Sequence, residues 1–170
     1  VTEIGVITPE AFTDGHHHSG LTPPAFGVCR ILQEGAHQFE MIDPDHDFSG
    51  FSVLVLPDEI PVAANLKDKL KKYLADGGAL IASYHSGLDP DRKNFALDEM
   101  GLTLLGDAPF SPDFIVPDAN LGKTLPSTEH VMYMQGLEVE PNDGADVLTS
   151  TASPYFNRTY EHFCSHKHTP

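Results

Sequence analysis

The sequence predicts a doubly wound α/β domain. Three observations carry that prediction: two short, continuous apolar runs at 52–57 and 79–84, an amphipathic stretch between them, and the same order of strand, helix and strand in residues 2–42.

Each element has a local cause. Thr2 to Thr8 (TEIGVIT) forms a first strand, followed by a loop from Pro9 to Leu21. Thr22 is placed to cap a helix with Pro23 in its first turn, running from about Ala25 to Glu34 and closed by Gly35. Gln38 to Ile42 is the second strand. Ser52 to Pro57 carries the β-branched Val53 and Val55 in a run too continuous for a one-sided strand, which suits a strand buried on both faces of a parallel sheet. Leu66, Leu70, Tyr73 and Leu74 recur at helical spacing, and Lys67, Asp68, Lys69, Lys71 and Lys72 take the solvent side. Asn65 is the expected cap of this helix with Asp68 three residues on, and Gly77 supplies the left-handed residue that ends it. Ala79 to Tyr84 is the next strand. A strand, a crossover helix and a strand in so few residues predict a right-handed parallel unit, with Leu54, Leu56, Leu80 and Ile81 among the most buried side chains. A short helix is expected at Phe95 to Met100. Beyond Gly101 there are strand-like pieces at Leu102 to Leu105, Asp113 to Val116, Val131 to Leu137 and Val147 to Thr151, expected as edge strands and loops on the same sheet.

The 170 residues, 40% hydrophobic, are enough for one core, and one domain over 1–170 is the expectation. A net charge of −15, from 25 acidic against 10 basic residues, argues against nucleic acid as a partner, because phosphates attract Lys and Arg clusters that are absent here. No apolar run is long enough to cross a bilayer. Cys29 and Cys164 form no motif and are expected as free thiols. Val1 begins neither a signal peptide nor a chain with an initiator Met, and YEHFCSHKHTP is too specific for a polar tail, so the chain is expected to be excised from a longer protein.

The run PDEIPVAANLKDKLKKYLADGGALIASYHSGLDPDRKNFALDEMGL resembles the middle, trimerisation domain of family 42 β-galactosidases and the equivalent domain of fucosidase-like glycoside hydrolases. The matching features are Pro57-Asp58 at a strand end, the helix Leu66 to Leu74, the Gly77-Gly78 turn, the strand Ala79 to Tyr84, Ser86-Gly87, the acidic Asp89 to Asp91, and Met100-Gly101. SPYFNRTYEHFCSHKHTP resembles the fucosidase-like group as well. The resemblance implies a flavodoxin-like fold of class I glutamine amidotransferase type, mostly parallel with helices on both faces, and without chemistry of its own. It implies partners too: the catalytic barrel of the parent chain, neighbouring subunits and carbohydrate near the parent active site. No cofactor is called for.

The residues agree with a missing chemistry. An amidotransferase of this fold presents a Cys on a tight turn after the second strand of such a unit, with a His and an acid arriving later. Here that turn is Ser83-Tyr84-His85-Ser86-Gly87, and Tyr84 or His85 in the nucleophile slot cannot carry out acyl transfer. Ser86 is the remaining candidate, with His130, His162 or His166 as a base; the plainer role is a structural cap beside a turn that Gly87 permits.

His16, His17 and His18 follow the first strand near the carboxyl edge of the sheet, where ligands bind, but consecutive imidazoles converge on one ion only with a contorted backbone. His162 and His166 would share a face of a helix and are the tail's metal candidates, with His168, Glu161 and Cys164 nearby. Asp43 with Asp45, and Asp89 with Asp91, imitate a glycosidase pair, yet residues two apart in loops are ordinarily solvated turns. Two functions therefore stand: a structural module of a glycoside hydrolase, or a stand-alone amidotransferase-like hydrolase using Ser86 or a His-bound metal. For the first, Phe110 to Phe114 and Tyr155 to Tyr160 are the expected association tracts, because aromatic groups dominate interface energies.

Overall fold

The structure is a computed structural model that describes residues 2–13, 21–118 and 121–157. It contains two compact units, Val1–Met100 and Gly101–Pro170.

The first unit holds four parallel strands, β1 (Ile4–Ile7), β2 (Phe39–Ile42), β3 (Val53–Leu56) and β4 (Ala79–Ala82), in the spatial order β2-β1-β3-β4. The register pairs Ile4 with both Phe39 and Val53, and Val53 with Ala79. Helix α1 (Pro23–Glu34) joins β1 to β2, and α2 (Ala64–Ala75) joins β3 to β4. Both units expected from the apolar pattern are present, and β3 and β4 pair in parallel.

The cap of α1 is the expected one: the Thr22 side chain accepts the Ala25 N–H, with Pro23 opening the helix. At the other end Gly35 has φ −76°, and Ala36 takes the left-handed conformation, φ 55°. Helix α2 departs from its expected start. Ala63 is its N-cap, without a side-chain bond, and Asn65 lies inside the helix. The cause is tertiary: Val62 is buried and its N–H donates to Leu88 O at 2.8 Å, which sets the chain's entry angle ahead of any capping side chain. Gly77 ends the helix region at φ +97° as expected.

Ile7, Leu54, Leu56, Ile60 and Leu70 are fully buried and form the core with Ile42, Phe48, Phe51, Leu66, Tyr73 and Leu97. Leu80 packs partly against this cluster, but Ile81 is 57% exposed, against expectation. In the sheet order β4 is an end strand, so its apolar run is not covered on both faces. The stretch after it contains a bridge between Leu88 and Phe95 and a 3-10 turn at Asp98–Met100 in place of the expected helix.

The second unit corrects the expectation of strands laid on the same sheet. Strand β5 (Leu102–Asp107) pairs antiparallel with β8 (Leu137–Pro141), while β6 (Asp113–Val116) pairs antiparallel with β7 (His130–Met132) and β9 (Ser150–Ala152). The alternating burial of β5 is the one-sided pattern of antiparallel sheets. The single run expected at Val131 to Leu137 divides into β7 and β8, with residues 133–136 between them. Asp113 is buried; one carboxylate oxygen accepts the Gly136 N–H at 2.8 Å.

Candidate functional site

In an open parallel sheet, ligands collect outside the carboxyl ends of the strands where the strand order reverses. That point lies between β1 and β3, and the segments leaving β1, β3 and β4 line a cleft of about 480 Å³ there.

After β1, the chain makes a 3-10 turn at Pro9–Phe12 that directs Glu10 toward α1. The Glu10 carboxylate accepts the Thr22 N–H at 2.8 Å and the Thr8 hydroxyl. Burial pushes its pKa up, but these hydrogen bonds outweigh burial and hold it at about 2.

The segments after β3 and β4 are joined by side chains. Ser83 Oγ accepts the Asp58 N–H at 2.9 Å and donates to Asp58 Oδ1 at 2.8 Å. Ser86 Oγ accepts the Ile60 N–H at 2.9 Å, and Gly87 N–H donates to Ile60 O at 3.1 Å. Ser86 is 1% exposed. Gly87, at φ +91°, permits the turn. Tyr84, with φ 52°, takes the left-handed conformation typical of a nucleophile turn, and its ring stacks on His85 at 3.8 Å. The turn thus carries the Tyr84 phenol on a left-handed residue two positions beyond the end of β4. Cleft and turn lie together at one edge, while the Ser86 hydroxyl is committed to the protein interior.

Farther along, Asp89 accepts the N–H groups of Lys93 at 3.0 Å and Asn94 at 3.1 Å, and those bonds, the former first, draw its pKa down. Asp91 pairs with Lys93 at 3.6 Å, and Asp43 accepts the Asp45 N–H at 2.9 Å. These carboxylates shape turns. Arg92, in a left-handed conformation at φ 56°, reaches Glu59 at 3.7 Å across the cleft rim.

His130 belongs to the second unit, where its Nε2 lies 2.9 Å from Pro126 O. His16, His17, His18, His162, His166 and Cys164 lie outside the described residues. Among the described residues no group of three His, Cys, Asp or Glu side chains could hold a metal ion, and no helix is long and apolar enough to cross a membrane. Cys29 is a free thiol whose Sγ lies 3.7 Å from Met41 Sδ, and its pKa is raised by burial and by the Glu10 charge. Of the expected association tracts, Phe114 is buried and unavailable, Tyr155 is 84% exposed, and Tyr160 falls outside the described residues. Glu10, Glu59 and Arg92 went unmarked in the sequence, because their partners are distant in the chain; the rule that sites follow strand ends would have pointed to them.

Residues 30–105 match the family model described as the beta-galactosidase trimerisation domain. A search of curated proteins gave no match. Among solved structures, α-L-fucosidase isoenzyme 2 from Paenibacillus thiaminolyticus is similar over 100% of this chain and 26% of its own, with a TM-score of 0.85 and 34% identity. The β-galactosidase from Rahnella sp. R3 is similar over 92% of this chain and 26% of its own, with a TM-score of 0.70 and 15% identity. The β-galactosidase from Bacillus circulans sp. alkalophilus is similar over 91% and 25%, with a TM-score of 0.67 and 16% identity. The chain spans about a quarter of the length of each of these structures. The likeness is to a structural domain of glycoside-hydrolase type.

Proposed function

We propose that this chain is a non-catalytic, structural domain of a multidomain glycoside hydrolase, β-galactosidase-like or α-L-fucosidase-like, that holds subunits together and contacts a catalytic barrel. The observation that carries this reading is the turn after β4. A nucleophile must be exposed to substrate and paired with a base. Here Tyr84 occupies the apex, and Ser86 is buried on the Ile60 N–H. The match to a trimerisation domain supports a role in association, and so do exposed apolar side chains in the second unit, among them Met134 at 62% and Val147 at 69% exposure.

The finer fold class we assign is flavodoxin-like, of class I glutamine amidotransferase type. The order β2-β1-β3-β4 supports it, because right-handed crossovers on either side of the reversal put α1 and α2 on opposite faces. The left-handed Tyr84 supports it as well, because a nucleophile turn of this fold holds its apex residue in a strained conformation.

A screen of the chain against aryl β-galactosides, aryl α-L-fucosides, glutamine and aryl esters should give no turnover. Ser86→Ala should lower stability by about 1–3 kcal/mol, by leaving the Ile60 N–H buried without its acceptor. Turnover by this chain that disappears in a folded Ser86→Ala variant would overturn the proposal in favour of a hydrolase using Ser86.

A further inference from the structure

We infer that the cleft between the β1, β3 and β4 ends is a binding site for a neutral sugar, one that excludes phosphate and other anions. The inference rests on the structural reading above and assigns a ligand class to the site.

The exclusion comes from the helix that borders the cleft. A doubly wound domain ordinarily receives an anion on the free N–H groups of the helix after β1. In α1 those donors are gone. Pro23 and Pro24 have no N–H, the Ala25 N–H is taken by Thr22 Oγ1 at 3.4 Å, and the Thr22 N–H is taken by Glu10 at 2.8 Å. The chain's own Glu10 carboxylate stands at this end of the helix on the N-cap N–H, and its negative charge repels a second one.

What remains suits a polyol. Glu59 and Arg92 face each other at 3.7 Å, beyond hydrogen-bond length, with about half of each side chain open to solvent. The pair is neutral as a whole and sets an acceptor beside a fork of donors, an arrangement that neighbouring hydroxyls can bridge. Phe12 and Pro61 supply an apolar wall for the C–H face of a ring. The backbone of the rim is held in shape before any ligand arrives: at Arg92 by its backbone N–H bond to Asp89 O at 2.9 Å, and in the segment bearing Glu59 by the Ser86 bond to Ile60. The volume lies within the range of small-molecule sites.

The test is a titration of the whole chain with methyl β-galactopyranoside, methyl α-L-fucopyranoside and, separately, inorganic phosphate, followed by backbone amide shifts. At least one glycoside should shift the amides of Glu59 and Arg92 saturably, with a Kd on the order of millimolar, and phosphate should not. Arg92→Ala and Glu59→Ala, both at exposed positions, should each weaken sugar binding by about tenfold or more with no change in thermal midpoint. Saturable phosphate shifts at these amides, no sugar response up to about 0.1 M, or sugar binding untouched by both variants would each overturn the inference. Association is read separately by sedimentation: a chain that assembles without binding sugar contradicts this site alone, and one that binds sugar without assembling contradicts only the structural role.

Discussion

At the scale of single residues, Glu10 and Ser86 show how side chains that resemble reactive groups are used for connection. Glu10 joins the turn after β1 to the start of α1 across twelve positions, so no local motif announced it. Its pKa in the folded chain is about 2 against an ordinary 4.5, a depressed carboxylate, so its contribution is complete above pH 4.5 and is lost as pH falls toward 2. Solvent reaches part of the side chain, and with that screening we expect about 1–2 kcal/mol. Urea unfolding of the chain and of Glu10→Gln at a series of pH values checks it. The difference between them should be present at pH 5 and shrink on approach to pH 2; a constant difference would contradict the linkage.

Secondary-structure elements were legible where local pattern and tertiary packing agree. Strands β1 to β3, the Thr22 cap and the Gly77 terminus follow from apolar runs and capping chemistry. The misses have tertiary causes. The start of α2 is set by Val62 and its bond to Leu88, and the exposure of Ile81 by the end position of β4. The short strands of the second unit alternate weakly, and nothing local in them specified which partners they would pair with. The cleft was half legible: the carboxyl edge was expected to matter, but Glu10, Glu59 and Arg92 bond to partners distant in the chain and so carried no local signal. The Gly77-Gly78 turn offers a test at this scale. Gly77 has open space around it but a left-handed backbone, so Gly77→Ala should cost about 1 kcal/mol. A Cβ on Gly78 would stand 2.2 Å from the ring of Tyr73, which is 6% exposed and donates its hydroxyl to Ala79 O. Gly78→Ala should therefore cost more, about 2–3 kcal/mol, as overpacking of a closed site. Urea midpoints measure both, and equal losses would show that the ring yields freely.

For the molecule as a whole, two features act against each other. Exposed apolar side chains such as Met134, Val147 and Tyr155 favour contact with another protein surface. A net charge of −15 opposes the approach of identical chains, most strongly at low salt, where the screening length exceeds about 10 Å. The chain also spans only about a quarter of the length of the solved structures it resembles. Association of this chain alone should accordingly be weak and promoted by salt. Sedimentation equilibrium over a wide range of protein concentration, at low and at high ionic strength, tests the structural role most directly. The account predicts a mass that rises with concentration, more steeply in high salt, toward a dimer or trimer; a strict monomer at high concentration and high salt would contradict it.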